Sequence, residues 1–190
     1  MAFNLEKGGR FNLSKDSPGM TKVKIGLGWD ANAFDTGGEF DLDVSLFGLG
    51  ANGKLVDEKH FIYYNQTATS NKSIVHQGDN RKGDVAGDDE TVLIDLSLLD
   101  PKVTEISFIV TIHDAGLRKQ NFGQVSKSFI KLYDAAADVV KAQYNLEDDF
   151  SAETAVQFGS LFLKDGQWLF KAVGAGFKKG LADFVAIYSE

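Results

Sequence analysis

Cysteine is absent from the 190-residue chain, which removes disulfides, thiol nucleophiles and thiolate metal sites at once. Histidine is scarce: His60, His76 and His113 are too dispersed for a zinc or copper centre built on imidazole. No stretch approaches the roughly eighteen apolar residues of a membrane helix, and no basic-flanked apolar run opens the chain. A soluble cytoplasmic protein without a transmembrane segment is therefore expected. The sequons Asn65-Gln66-Thr67 and Asn71-Lys72-Ser73 have no role without a secretory route. There is no G-x-S-x-G elbow, and neither Gly26-Leu27-Gly28 nor Gly174-Ala175-Gly176 completes a dinucleotide fingerprint. Close backbone packing accounts better for both glycine pairs.

What the chain does have is glycine, phenylalanine and localised negative charge. Twenty glycines and fifteen phenylalanines against two prolines, with short alternating runs between turn signals, predict an all-β protein. Val23, Ile25 and Leu27 alternate with wet positions, as do Phe40, Leu42, Val44 and Leu46 with Asp41, Asp43 and Ser45. Further strands are expected at 60–66, 91–96, 103–113, 127–133, 138–146, 156–163 and 167–173. Asn52-Gly53 and Asp165-Gly166 signal hairpin turns. Leu181, Phe184, Val185 and Tyr188 fall at helical spacing and predict one short C-terminal helix over 177–188. The spacing of strands without intervening helices favours a two-sheet β-sandwich, one domain over residues 1–190.

The net charge is -7, with 27 acidic and 20 basic residues, and its excess sits in two segments. Residues 29–43 (WDANAFDTGGEFDLD) hold five acids and no base; residues 79–90 hold five acids and two bases. On a strand, Asp41 and Asp43 emerge on one face about 7 Å apart. Keeping such carboxylates ionised side by side costs about 1 kcal/mol or more per close pair, so a divalent cation is the natural neutraliser. Asp79, Asp84, Asp88, Asp89 and Glu90 offer carboxylates and Asn80 an amide oxygen, an all-oxygen inventory that suits Ca2+ and leaves Mg2+ open. Asp79 and Glu90 stand twelve positions apart, but Arg81 at the third place and Asp84 at the sixth break the EF-hand pattern. The other reading of both segments is a pair of solvated turns. His76 before Asp79 suggests a metal-dependent phosphoesterase only weakly, because the other two histidines have no motif around them. His113-Asp114 reads as a strand-end pair at a turn, and Trp29 and Trp168 as core or rim aromatics.

Five stretches together resemble the TerD family, calcium-binding proteins of tellurite resistance and chemical stress response: VKIGLGWD at 23–30, FDLDVSLF at 40–47, GDNRKGDVAGDDE at 78–90, FGQVSKSFIKL at 122–132 and WLFKAVGAGFKKGL at 168–181. The resemblance implies a non-enzymatic β-sandwich that binds about two calcium ions through adjacent acidic loops. It maps the metal ligands onto Asp30, Asp41, Asp43, Asp79, Asp88, Asp89 and Glu90, with Asn80 and Asn65 as further oxygen donors. Val85-Ala86 stands where relatives carry glycine and acids, and Val44 where they carry alanine. Expected partners are calcium ions and proteins of a stress-response complex that includes a peripheral membrane assembly; nucleic acid is not expected, and the chain is expected to be a monomer. An alternative is a metal pair that holds a small phosphate or cyclic nucleotide, and calorimetry with and without calcium separates the two.

Overall fold

Period-two runs commit the chain to strands whose apolar faces need a second sheet to cover them. The structure, a computed structural model, describes residues 2–31, 40–78, 87–146 and 150–189. Its strands in chain order are β1 (Phe3–Leu5), β2 (Arg10–Asn12), β3 (Lys22–Ala31), β4 (Leu42–Leu49), β5 (Phe61–Ile62), β6 (Ile74–His76) and β7 (Glu90–Asp95). They continue with β8 (Glu105–Ile112), β9 (Val125–Asp134), β10 (Val139–Asn145), β11 (Ala155–Lys164) and β12 (Gln167–Phe177). Helices α1 (Leu13–Asp16) and α2 (Ala115–Arg118) are single turns, and α3 (Leu181–Ser189) closes the chain.

The first sheet runs β1-β10-β9-β3-β7-β6 and the second β2-β12-β11-β8-β4-β5. Neighbouring strands are antiparallel except β1, which lies parallel to β10. The expected all-β sandwich with a short C-terminal helix is what forms. Ile25, Leu27 and Val92 of the first sheet meet Leu42, Val44 and Phe108 of the second in a fully buried core. A smaller core lies outside the second sheet, where Phe47 and Ile109 pack beneath Phe184 of α3 with Leu181, Val185 and Tyr188 around them. Those four helix positions are the ones whose spacing predicts α3. No helix of the described residues is long and apolar enough to cross a membrane.

Differences from expectation are local. Residues 60–66 do not form one strand: the Asp57 carboxylate accepts from Lys59 N at 2.8 Å and starts a 3-10 turn, Glu58–His60, and Tyr64-Asn65 turns the chain back between Tyr63 and Gln66. The helix begins at Leu181, because Phe177 still pairs with Ala155 in the sheet and Asp183 accepts from Gly180 N at 2.8 Å. Asp165-Gly166 is a two-residue hairpin with both residues at positive φ, whereas Asn52-Gly53 closes only the isolated Leu49–Leu55 bridge. Gly174, at φ 60, lies against the Tyr144 hydroxyl, and an added Cβ would stand 2.2 Å from it, so close packing explains this glycine.

Candidate metal centre

Asp43 lies in β4 and Asp41 immediately before it, and both follow the strand's alternation. Phe40, Leu42 and Val44 are buried in the inter-sheet core, so Asp41 and Asp43 turn to the outer face of the second sheet. Asp43 pairs with Thr111 of β8 and is only 7% exposed. One step earlier, the Asp41 carbonyl accepts from His113 N at 2.8 Å, which fixes the strand end. The Asp41 Oδ1 atom is buried and has no hydrogen-bond partner among the described residues. A buried carboxylate oxygen in that state is costly unless something outside the protein satisfies it.

Glu90 opens β7 on the inner face and is 2% exposed. Its Oε2 accepts from Val44 N at 2.9 Å, joining the two sheets. Val44 N is available because β5 pairs with β4 only at Leu46 and Phe47. His76 Nε2 stands 3.5 Å from the same oxygen, and because Gly78 N donates to His76 Nδ1 at 3.2 Å, Nε2 is the ring nitrogen left to donate toward Glu90. Asp89 is tied to the bulged end of β3: its Oδ2 accepts from Trp29 N at 2.8 Å, and its own N–H donates to Leu27 O at 2.7 Å.

Asp88 and Asp30 go elsewhere. Asp88 lies over Gly26 on the outer face of the first sheet, where an added Cβ would stand 2.1 Å from its Oδ2. The Tyr133 hydroxyl donates to it at 2.6 Å and Lys131 Nζ stands 3.4 Å away. Burial first, then the hydrogen bond and charge of Asp88, push the Tyr133 hydroxyl well above the usual phenol range. Asp30 is half-exposed and paired with Lys127 at 3.0 Å. Asn65 is exposed in the Tyr63–Gln66 turn. Asp79 and Asn80 lie outside the described residues.

The nine sequence-assigned ligands therefore divide. Asp41 and Asp43 share one outer face, Glu90 lies between the sheets, and Asp88 and Asp30 are held by cations on the opposite outer face. Among the described residues no group of three or more His, Asp or Glu has metal-binding geometry.

A match over residues 1–188 to the model of the TerD domain decides the family. The chain belongs to the TerD family. It is 47% identical over 188 residues to the tellurium resistance protein TerD of Serratia marcescens, covering 99% of this chain and 97% of that one. It is 45% identical over 188 residues to general stress protein 16U of Bacillus subtilis (strain 168), with the same shares covered. The fold matches a crystal structure of a homologue of telluride resistance protein (TerD) from Streptomyces coelicolor A3(2), with TM-score 0.67 and 20% identity over 88% of this chain and 96% of that one.

In this TerD-family chain, Asp43 also lines a groove of about 500 Å³ whose other walls were not read as a site in the sequence. His113 enters it, with Nδ1 4.0 Å from Asp43 Oδ2 and Nε2 3.4 Å from Asp114 Oδ2. Tyr64 and the start of α3 complete it, with Lys178 and Lys179. The signal for His113 was its place at the end of a long apolar strand; the contribution of α3 depends on a tertiary contact with no local trace.

Proposed function

We propose that this chain is a calcium-binding, non-enzymatic protein of stress resistance, whose ion orders a surface for docking a protein partner. The observation that carries the reading is the pair at the start of β4: the Asp41 oxygen just before the strand, buried and with no hydrogen-bond partner among the described residues, close in sequence to the deeply buried Asp43. Hard carboxylate oxygens without cysteine suit calcium, and the names of the TerD-family relatives supply the physiological setting. Asp41 and Asp43 would hold the ion, with Asp79, Asn80 and Asp89 supplying further oxygens. Bound calcium supplies the positive charge that lets these carboxylates stay ionised together. Asp30, Asp88 and Glu90 are engaged by Lys127, by Tyr133 with Lys131, and by Val44 N with His76 facing it, so their first role is to hold the sheets around the site.

Calorimetric titration of chelator-stripped protein with calcium, repeated in excess magnesium, tests this. Saturable binding that survives magnesium, raises the melting temperature and is lost in the Asp41→Asn/Asp43→Asn double variant is expected. Absence of binding, or binding that the double variant leaves unchanged, overturns it.

A further inference from the structure

The outer face of the second sheet holds another hollow, at the end of α3 away from the Asp43 groove. Strand register sets four residues in a row across it. Arg10 of β2 stands opposite Lys171 of β12, Lys171 opposite Ser160 of β11, and Ser160 opposite Ser107 of β8. Directly opposed residues share a face, so two cations stand side by side, an arrangement that destabilises a sheet unless something neutralises it. Among the described residues neither Arg10 nor Lys171 has an acidic partner in ion-pair contact.

The row continues into a buried hydroxyl. Ser160 is 3% exposed and lines the hollow, yet no hydrogen bond engages its side chain among the described residues. The surroundings are fixed in place. The Arg10 guanidinium stacks 5.6 Å from the Phe162 ring centre. Gln157 Nε2 donates to Ser107 Oγ at 2.9 Å. Glu105 also lines the hollow, whose volume is about 320 Å³, at the small end of ligand pockets.

Two cations and a hydroxyl converging on one small hollow match the chemistry of a phosphate group, which takes charge-assisted donors on several oxygens at once. We propose that this hollow binds phosphate, either inorganic or as a small monoester, through Arg10, Lys171 and Ser160, without a metal ion. The stacked Arg10 presents its donor plane, and Lys171 adds a point charge beside it.

The test is titration of the full chain, in chelator, with inorganic phosphate and separately with ribose 5-phosphate, read by calorimetry and melting temperature. Saturable binding is expected, weakened at least about tenfold by Lys171→Gln and more mildly by Ser160→Ala. Lys171→Gln should also melt no lower than the native chain when phosphate is absent, because it relieves the repulsion with Arg10; a merely structural lysine would not behave so. Tighter binding of the ribose ester identifies a monoester as the ligand, and equal binding identifies free phosphate. Binding that appears only after calcium is added, or that both variants leave unchanged, overturns the proposal, as does no binding at all.

Discussion

Replacing Glu90 by alanine should destabilise the sandwich whether or not calcium is present. The carboxylate accepts from Val44 N across the two sheets at 2.9 Å, at a site 2% exposed, with His76 Nε2 3.5 Å away. A hydrogen bond to a charged group contributes about 1.5–3 kcal/mol, and leaving a buried donor without its acceptor puts the cost near the top of that range, about 3 kcal/mol. For a chain of this size, about 3 kcal/mol lowers the melting temperature by about 6–12 °C. Glu90→Gln keeps the shape and an acceptor for Val44 N, so it should cost less, about 1–2 kcal/mol, chiefly from the lost charge and from an amide facing the His76 N–H. Thermal and urea melts in chelator and in calcium measure both variants. A Glu90 carboxylate that joins the two sheets requires the same drop in each condition and alanine worse than glutamine. An alanine variant within about 0.5 kcal/mol of the native chain in chelator would refute it.

Gly26→Ala should act at a distance from the core by expelling Asp88, because the new Cβ would occupy the carboxylate's position. Lost hydrogen bonding to Tyr133 and overpacking together predict about 3 kcal/mol of destabilisation, checked by urea unfolding; a Gly26→Ala chain as stable as the native one would remove Asp88 from the sheet-holding role. Tyr133 gives the pH signature. Its folded-state pKa is raised, so the stability it contributes is complete below the ordinary phenol value of about 10 and is lost as pH rises from there towards the folded-state value. Native chain should therefore destabilise above about pH 10 more steeply than Tyr133→Phe. Equal alkaline slopes in melts across that range would contradict the assignment.

The strands were legible where alternation is long. Phe40, Leu42 and Val44 facing inward and Asp41 with Asp43 facing outward follow from a period of two, and so does the buried face of α3 from its spacing. The short pieces β1, β2 and β6 span three residues each and carry too few positions for any period to show. Residues 60–66 misled because aromatic and β-branched side chains there suit a strand, while the capping carboxylate of Asp57 lies just upstream and wins locally.

The candidate site was legible as chemistry and less so as geometry. Period two applied to 88–90 would put Asp88 and Glu90 on one face, yet Asp88 precedes β7 and crosses to the outside of the sheet. What pulls it there is Lys131 and Tyr133, more than forty positions away in sequence and brought opposite Gly26 by the pairing of β3 with β9. A carboxylate cluster in sequence is thus a statement about charge density along the chain, and each member settles where the nearest donor in space lies. Asp41 differs from Asp30, Asp88 and Asp89 in that its buried Oδ1 has no such donor among the described residues. By that logic the charge run locates the acidic end of the sandwich, and the unsatisfied Asp41 oxygen just before β4 is where, within it, a cation would contribute most.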